Sequence, residues 1–471
     1  MSRASAEHLI SLIVHKVRLV IDLLEDISLK KFPSETPRML IDIIKNICLA
    51  LKHHALTTGE DTGSLDDEDI ENELKIILSL LLDITPHLRF VEGASVERTP
   101  WDLVQPFEDF SRRIYQKTPI ILRPQWAYNF TIRPNLIRTY KACLESILSD
   151  DEHRVLFDKC PEEIYVISFP GIERKNILLQ SILGHELGHP IASEYLGNED
   201  PSSYLSEIRD EVDKHITETD PTKRSQELSD KVKLIQMIRN TGLNEIISDL
   251  VAIHLFGIAV FFAAYEIAIM MSMDDISGQG NYFYPPWRYR LREMLTELDW
   301  NSFEMKMKEV LSKNNEYETV YKIISERMTQ LKRVTDEKED VDRINKEDIK
   351  RIAYQSIQKA LPKVRIFLNN KPSLLVDISV ENIFLLNQRL MLNLPPNAIE
   401  NISPFEPIIP SMPEIINAGW FNKLTYLPDK ITTLNEDKHY DKLNILNSLI
   451  YKALELREIH LKYKEVFSKD K

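Results

Sequence analysis

Apolar residues recur at steps of three and four along most of this 471-residue chain, a pattern typical of helices that bury one face. Residues 1–56 fit two such helices, and residues 70–82 fit a third. We interpret the acidic stretch 59–69 between them as a solvated loop and the start of the third helix. Charged residues interrupt the first apolar positions at helical spacing, so we expect an amphipathic helix there and no signal peptide.

The pattern changes after residue 99, where short runs of aromatic, β-branched and proline residues are typical of strands. Residues 119–124 and 128–132 fit two short strands. The clearest strand covers residues 163–169, which are rich in β-branched and aromatic side chains and are followed by a Pro-Gly pair. The sequence therefore predicts a small sheet within a mainly helical protein.

Two core helices are predicted after the sheet, the first from about 175 to 196 and the second from about Leu243. We interpret the polar residues 198–232 between them as a helical insertion. The second helix continues into the apolar run 250–273, which has the length of a membrane span. Because this run carries a histidine and a glutamate and has no hydrophobic partner of similar length, we predict a buried core helix and no membrane partner.

Three regions are predicted: a helical one at 1–98, a core with the sheet at 99–300, and a helical one at 301–471. The fold class is therefore mainly α, in the broad α+β class. Prolines recur in the connection 394–413 and favour an extended surface segment over helix or central strand. Its apolar residues need cover, and two placements stay open: over a cleft of the core, or as a strap on the C-terminal helices.

Composition is that of a folded globular protein, with 43% hydrophobic and 28% charged residues. The formal net charge of −14 repels polyanions, so we expect no nucleic-acid partner. Cys48, Cys143 and Cys160 are widely spaced and odd in number, which fits neither a disulfide framework nor a cysteine-based zinc site. We therefore expect a reducing, cytoplasmic location.

One short motif carries chemistry, because His185-Glu186-Leu187-Gly188-His189 has the pattern H-E-x-x-H within a helical apolar pattern. A spacing of four places both imidazoles on one helix face, about one turn apart, where they can bind one zinc ion. Glu186 lies beside them and can take a proton from a water held by the zinc. The alternative is a buried helix with two hydrogen-bonded histidines, and a third ligand decides between the two.

A second motif, Asn244-Glu245-Ile246-Ile247-Ser248-Asp249, supplies that ligand. Glu245 and Asp249 share one helix face, so Glu245 can complete a His2Glu zinc site with one open position. Asp249 is placed to accept a hydrogen bond from a liganding histidine. The apolar sequence that follows predicts burial, and buried carboxylates need a cation. Glu194 and His254 point to other helix faces, so we expect each to be paired elsewhere.

The two motifs resemble the zinc-binding helices of the gluzincin metallopeptidases. The residues of the second motif are similar to those of thermolysin. The long separation of His189 and Glu245 in the sequence is more similar to that in the CAAX prenyl protease and heat-shock-protein X group. The resemblance covers residues 160–300. It implies a zincin core with zinc on both histidines and Glu245, catalysis by Glu186, and a peptide bound along an edge strand, here 164–169.

Residues 283–291 resemble the His-Pro segment and following arginine of the same group, with Tyr284 where the family has histidine. The resemblance implies an oxyanion site, to which the Tyr284 hydroxyl can donate a hydrogen bond and Arg288 or Arg290 can add positive charge. We place Tyr284 and Arg288 in the predicted catalytic set. The alternative is a structural Pro-Pro turn with packed aromatic side chains.

From these residues we predict a zinc-dependent peptidase that acts on a peptide or protein substrate. The alternative is a helical interaction or sensor protein that keeps zinc for structure or signalling, because the flanking regions are larger than catalysis requires. Metal content, together with loss of cleavage on changing Glu186, separates the two functions.

Overall fold

The computed structural model describes residues 3–60, 67–116, 118–274, 284–336, 348–399, 408–426 and 436–468. This described chain is mainly helical with a three-stranded sheet, which confirms the predicted fold class. It divides into two compact units, Met1–Arg174 and Lys175–Lys471. The predicted boundaries at 98 and 300 differ from this division, because the sheet belongs to the first unit and the histidine motif to the second.

The helices of the first unit are α1 Arg3–Ser28, α2 Thr36–Glu60, α3 Asp67–Ile84, α4 Leu88–Gly93, α5 Trp101–Tyr115, α6 Leu136–Glu145 and α7 Asp150–Phe157. The first three confirm the helices predicted from apolar spacing. Their inner faces share one hydrophobic cluster, in which Ile13, Ile44 and Leu74 are fully buried. Residues 61–66 of the predicted acidic loop lie outside the described part of the chain.

The strands are β1 Ile120–Gln125, β2 Thr131–Arg133 and β3 Tyr165–Pro170, in the order β1-β3-β2. β3 runs parallel to β1 and antiparallel to β2, with Ile167 between Leu122 and Ile132. The prediction of three short strands is thereby confirmed, although the second of them begins at Thr131 and not at residue 128. The edge position predicted for 164–169 is wrong, because β3 pairs on both sides and has no free edge along its middle residues.

The helices of the second unit are α8 Leu183–Asn198, α9 Ser202–Asp213, α10 Pro221–Phe256, α11 Ile258–Met271, α12 Trp287–Leu298, α13 Trp300–Lys313, α14 Glu318–Asp336, α15 Asp348–Asn369, α16 Val380–Met391, α17 Met412–Tyr426 and α18 Glu436–Ser468. The most extensive packing between two of these helices joins α8 and α10. α10 also packs against α12 and α15. α8 carries the first sequence motif and α10 carries the second.

The first core helix begins later than predicted. Its apolar pattern starts near 175, whereas α8 begins at Leu183. Two short 3-10 helices, Gly171–Lys175 and Leu179–Ile182, take up much of the chain before it. Apolar residues of this stretch such as Ile177 are buried, so their spacing reflects burial and not a continuous α-helical backbone.

The second core helix begins earlier than predicted, at Pro221 instead of near Leu243. Proline suits the first position of a helix, and the Asp220 side chain accepts hydrogen bonds from two backbone N–H groups of the first turn. The predicted polar insertion 198–232 therefore consists largely of α9 and the opening turns of α10. This stretch has few apolar residues, so its sequence did not show that the helix continues through it.

Most of the apolar run 250–273 is buried as far as Ala268, as predicted, with His254, Gly257, Tyr265 and Glu266 partly exposed, but the run is not one helix. α10 ends at Phe256 and α11 begins at Ile258, with Gly257 between them at φ +60° and ψ −139°. Side chains are strained in this backbone conformation, so glycine permits the break. No helix in the described part of the chain is long and apolar enough to cross a membrane.

The proline-rich connection lies only partly within the described residues, because 400–407 fall outside them. On either side, Ile399 and Ile408 exchange backbone hydrogen bonds of 3.1 and 3.2 Å. Met412, at the start of α17, is buried. Whether the segment covers a cleft or straps the C-terminal helices is therefore untested, and both placements stay predictions.

Candidate metal centre

Two glycines of the first motif helix let α8 and α10 approach closely. A Cβ built on Gly188 would lie 2.4 Å from the Cα of Ser248. Gly184, about one turn earlier, lies against Phe256, whose ring would be 2.9 Å from an added Cβ. The two helices therefore pack almost backbone to backbone. This approach brings Glu245 of α10 within reach of the histidines of α8.

The packed helices bring three metal-binding side chains together. One ligand atom from each of His185, His189 and Glu245 lies within 4.8 Å of the other two. Nε2 of His185 is 3.5 Å from Oε2 of Glu245. Bond lengths of about 2.1 Å in a tetrahedral site place neighbouring ligand atoms about 3.4 Å apart. The predicted ligands therefore form one buried cluster that could hold a metal ion.

Hydrogen bonds fix both imidazole rings of the cluster. Nδ1 of His185 lies 2.8 Å from Oδ1 of Asp249. Nδ1 of His189 lies 2.5 Å from Oδ1 of Asn244 and 3.1 Å from Oγ of Ser248. When each Nδ1–H donates to its protein oxygen, the lone pair of each Nε2 faces the cluster. This is the tautomer that a metal-binding histidine needs.

The charges around His185 favour a cation at the cluster. Burial lowers the pKa of this imidazole, but the carboxylates of Asp249 and Glu245 raise it, and the pKa reaches about 10. Burial also opposes ionisation of Glu245, yet Arg290 and the two imidazoles hold its pKa below the ordinary value. The cluster therefore combines an ionised carboxylate with a ring that binds a proton when no other cation is present.

Glu186 lies at the cluster without belonging to the ligand set. It is buried, and its Oε2 is 3.8 Å from Nε2 of His189. Burial raises the pKa of its carboxyl, and the imidazoles of His185 and His189 partly oppose this effect. A carboxyl with a raised pKa holds a proton more readily than an ordinary carboxyl, so beside metal ligands it is suited to accept and return a proton.

Arg290 joins the two carboxylates of the second motif. Its Nε and Nη2 donate to the two oxygens of Asp249 over 2.7 and 2.8 Å, and its Nη1 lies 3.0 Å from Oε2 of Glu245. The guanidinium carbon is also 4.1 Å from the centroid of the Trp287 ring. Paired hydrogen bonds of this kind fix both partners, so Arg290 holds Asp249 in place against His185.

Arg288, which the sequence placed in the catalytic set, has its described contacts elsewhere. It pairs with Asp274 over 2.7 Å and donates to the backbone oxygen of Val334. Arg288 and Arg290 are two residues apart on α12, so their side chains point in directions that differ by roughly 200° around the helix axis. Arg290, the other candidate, is the arginine whose described contacts reach the cluster.

Tyr284 is half-buried, and the groups that act on its hydroxyl are those of the cluster. Burial raises the pKa of this hydroxyl, the carboxylates of Glu245 and Glu186 raise it further, and Arg290 lowers it. The hydroxyl is therefore protonated at neutral pH and able to donate a hydrogen bond. Residues 275–283, immediately before it, lie outside the described part of the chain.

Glu194 and His254 are paired away from the cluster, as the helical angles predicted. Glu194 accepts a hydrogen bond of 2.8 Å from Nζ of Lys371. Nε2 of His254 lies 2.6 Å from Oε1 of Glu297 on α12. Both side chains therefore have structural partners, and neither competes for the role of third ligand.

Asn244 and Ser248, for which the sequence predicted no role, both contact the His189 ring. Oγ of Ser248 also donates to the backbone oxygen of Asn244 over 2.8 Å. The signal was present in the motif, because these residues repeat the four-residue spacing of Glu245 and Asp249 one position earlier. Asn244 and Ser248 thus contact the ring of His189, whereas Asp249 contacts the ring of His185.

Comparison of the chain with protein-family models, with curated proteins and with solved structures gives no match. The resemblance to gluzincins therefore rests on the two motifs and on the cluster that their residues form. What the geometry establishes is a buried group of two histidines and a glutamate that could hold a metal ion.

Gly188→Ala is expected to lower the free energy of unfolding by about 1–3 kcal/mol and to weaken the binding of a metal ion at the cluster about tenfold or more. The added methyl would displace the Ser248 backbone, and with it Glu245. Gly197→Ala, in the same helix, is the control, because nothing lies within 4 Å of its added Cβ. Denaturant unfolding and zinc titration measure the two effects. Equal zinc affinity in both variants would contradict the role of close helix packing.

Proposed function

We propose that this protein is a zinc-dependent peptidase, which hydrolyses peptide bonds with an activated water. The observation that carries the proposal is the buried cluster of His185, His189 and Glu245, with Glu186 beside it. Two imidazoles and one carboxylate are a ligand set of catalytic zinc sites, which keep a further position open. The oxygens of Asp249 and Asn244 beside the two Nδ1 atoms also support this function, because they favour the tautomer in which Nε2 is free to bind a metal.

Each residue at the cluster would have a distinct role in hydrolysis. Zinc, when bound, supplies Lewis acidity that makes water nucleophilic near neutral pH. The three ligands would hold the ion, while Asp249 and Asn244 keep the imidazole rings oriented. Glu186 would take the proton of the attacking water and later deliver it to the departing amine. The raised pKa of its carboxyl suits both transfers.

Tyr284 would donate a hydrogen bond to the oxygen of the scissile carbonyl as negative charge develops there. Its protonated hydroxyl, within the electrostatic reach of Glu245 and Glu186, supports this role. Arg290 would act as a positioning residue, because its guanidinium is already bonded to Asp249 and Glu245. Its positive charge would still favour the developing oxyanion.

Tyr284→Phe is expected to lower kcat by about tenfold to a thousandfold while zinc content and melting temperature stay unchanged. Only a hydrogen bond made in the transition state is lost, since the ring remains. Tyr321→Phe removes a hydroxyl that contacts Glu304 on another helix and serves as the control. Steady-state kinetics on an unstructured peptide measure the effect, and wild-type turnover in Tyr284→Phe would assign the segment to a structural turn.

The test of the function itself uses the full-length protein with metal analysis and unstructured peptides as substrates. We expect about one zinc ion per chain, cleavage that stops on chelation, and recovery when zinc is added back. A comparison of cellular cleavage products between wild type and Glu186→Gln then identifies natural substrates. Bound zinc without cleavage in either assay would overturn the peptidase and favour a zinc-binding interaction protein.

A further inference from the structure

A cavity of about 540 Å³ lies in the first unit, where the end of β1 meets α4. Three arginines line it, Arg89, Arg98 and Arg123, together with Glu92 and Trp126. The volume falls in the range of small-molecule binding sites. A lining with three guanidinium groups and one carboxylate contrasts with the net charge of −14 of the whole chain.

Arg123 is held in place at this cavity by a cation–π contact with Phe90 and by close packing against Gly93. Its guanidinium carbon lies 4.8 Å from the centroid of the Phe90 ring. Gly93 makes room for the side chain, because a Cβ at Gly93 would lie 3.2 Å from the Cβ of Arg123. Its buried Nε has no hydrogen-bond partner in the described part of the chain. A buried donor without an acceptor is costly, so a small shift of the side chain that brings Nε to a bound oxyanion would relieve this cost.

The positive charges of the cavity are incompletely balanced. Arg98 pairs with Glu92 over 3.3 Å, but Glu92 is shared with Lys30 at 3.2 Å. Among the described residues, no carboxylate forms an ion pair with Arg89 or Arg123. Burial lowers the pKa of Arg123, and the nearby charges of Arg133 and Arg89 lower it further. A negatively charged ligand would relieve this repulsion.

Trp126 gives the cavity an apolar rim. Its side chain is fully exposed, although tryptophan contributes most to stability when it is buried. An exposed indole beside guanidinium groups offers a flat surface on which a planar ligand group can stack. The cavity thus combines charged groups for an anion with an aromatic face for an organic part.

We propose that this cavity binds a small organic anion, with its phosphate or carboxylate group held by Arg89, Arg98 and Arg123 and a planar part stacked on Trp126. Guanidinium groups form paired hydrogen bonds with both kinds of oxyanion. The site lies within the first unit, and binding there requires neither the metal cluster nor peptidase activity.

Calorimetric titration of the full chain with adenosine monophosphate, citrate and adenosine tests the proposal. We expect at least one of the two anions to bind, and adenosine, which has the planar group without the charge, to bind at least about tenfold more weakly. Tighter binding of adenosine monophosphate identifies a phosphate ligand, and tighter binding of citrate identifies a carboxylate ligand. Absence of binding by both anions at about 10 mM overturns the proposal.

Variants assign the binding to the cavity. Arg123→Gln is expected to weaken the better anion about tenfold or more, and Arg89→Gln, at an exposed position, provides the same test if Arg123→Gln does not fold. Arg154→Gln is the control, because it removes the same charge from an exposed arginine paired with Asp151. Equal losses in the cavity and control variants would show general charge attraction and overturn the site.

Discussion

Glu186→Gln is expected to lower the rate of peptide cleavage by about a hundredfold to ten-thousandfold while zinc stays at about one ion per chain. The amide has nearly the size and polarity of the carboxyl, but it cannot take the proton of the attacking water. The zinc content is expected to persist, because Glu186 lies beside the ligands and not among them. Measurements of kcat/KM and of bound metal on the same preparations separate the two properties.

Glu194→Gln is the matched control for this change. Glu194 lies on the same helix, and its carboxylate is paired with Lys371 away from the cluster. The control variant should therefore keep both its zinc and its turnover. Wild-type cleavage by Glu186→Gln would exclude this residue as the base. Loss of zinc from Glu186→Gln would show that its carboxylate contributes to metal binding.

Local spacing explains why much of the cluster could be predicted from sequence. Residues four apart share a helix face, so the pairing of His185 with His189 and of Glu245 with Asp249 follows from the chain itself. The meeting of the two helices does not follow from spacing. It depends on Gly188 lying against its partner helix, a contact between residues far apart in sequence.

The choice between Arg288 and Arg290 depends on tertiary structure. Both lie in the first turn of α12, and the face that α12 turns to α10 decides which one reaches the cluster. The sequence between α11 and α12 includes residues that are not helical, so helical counting cannot be carried across it from the second motif. The arginine that bonds Asp249 therefore had to be found in the structure.

The errors in the predicted fold have similar physical causes. Gly257 is surrounded by apolar residues on both sides, and a single glycine within a helix costs only about 1 kcal/mol, so its break was not predicted. Strand order is equally non-local. The composition of β3 indicated a strand correctly, but its central position depends on β1 and β2 pairing with its two sides.

Replacing any one of His185, His189 or Glu245 by Ala is expected to weaken zinc binding by at least about a hundredfold and to abolish cleavage. This exceeds the tenfold to hundredfold loss typical of removing a hydrogen-bond partner of a ligand, which we expect for Asp249→Asn. Glu245→Ala should be the most severe of the three. It removes a negatively charged ligand. It also leaves the positively charged Arg290, whose Nη1 is 3.0 Å from Oε2 of Glu245 in the wild type, without this partner beside the ion.

The control for ligand removal must lose a buried histidine without touching the cluster, and His254 meets this requirement. It lies on α10 and is paired with Glu297, which keeps Arg365 as a second partner when the imidazole is removed. His254→Ala should therefore lower the melting temperature but retain zinc. Competition with a chromophoric chelator measures the affinity of each variant. Full zinc retention by Glu245→Ala would show that Glu245 is not the third ligand, even if both histidine variants lose the metal.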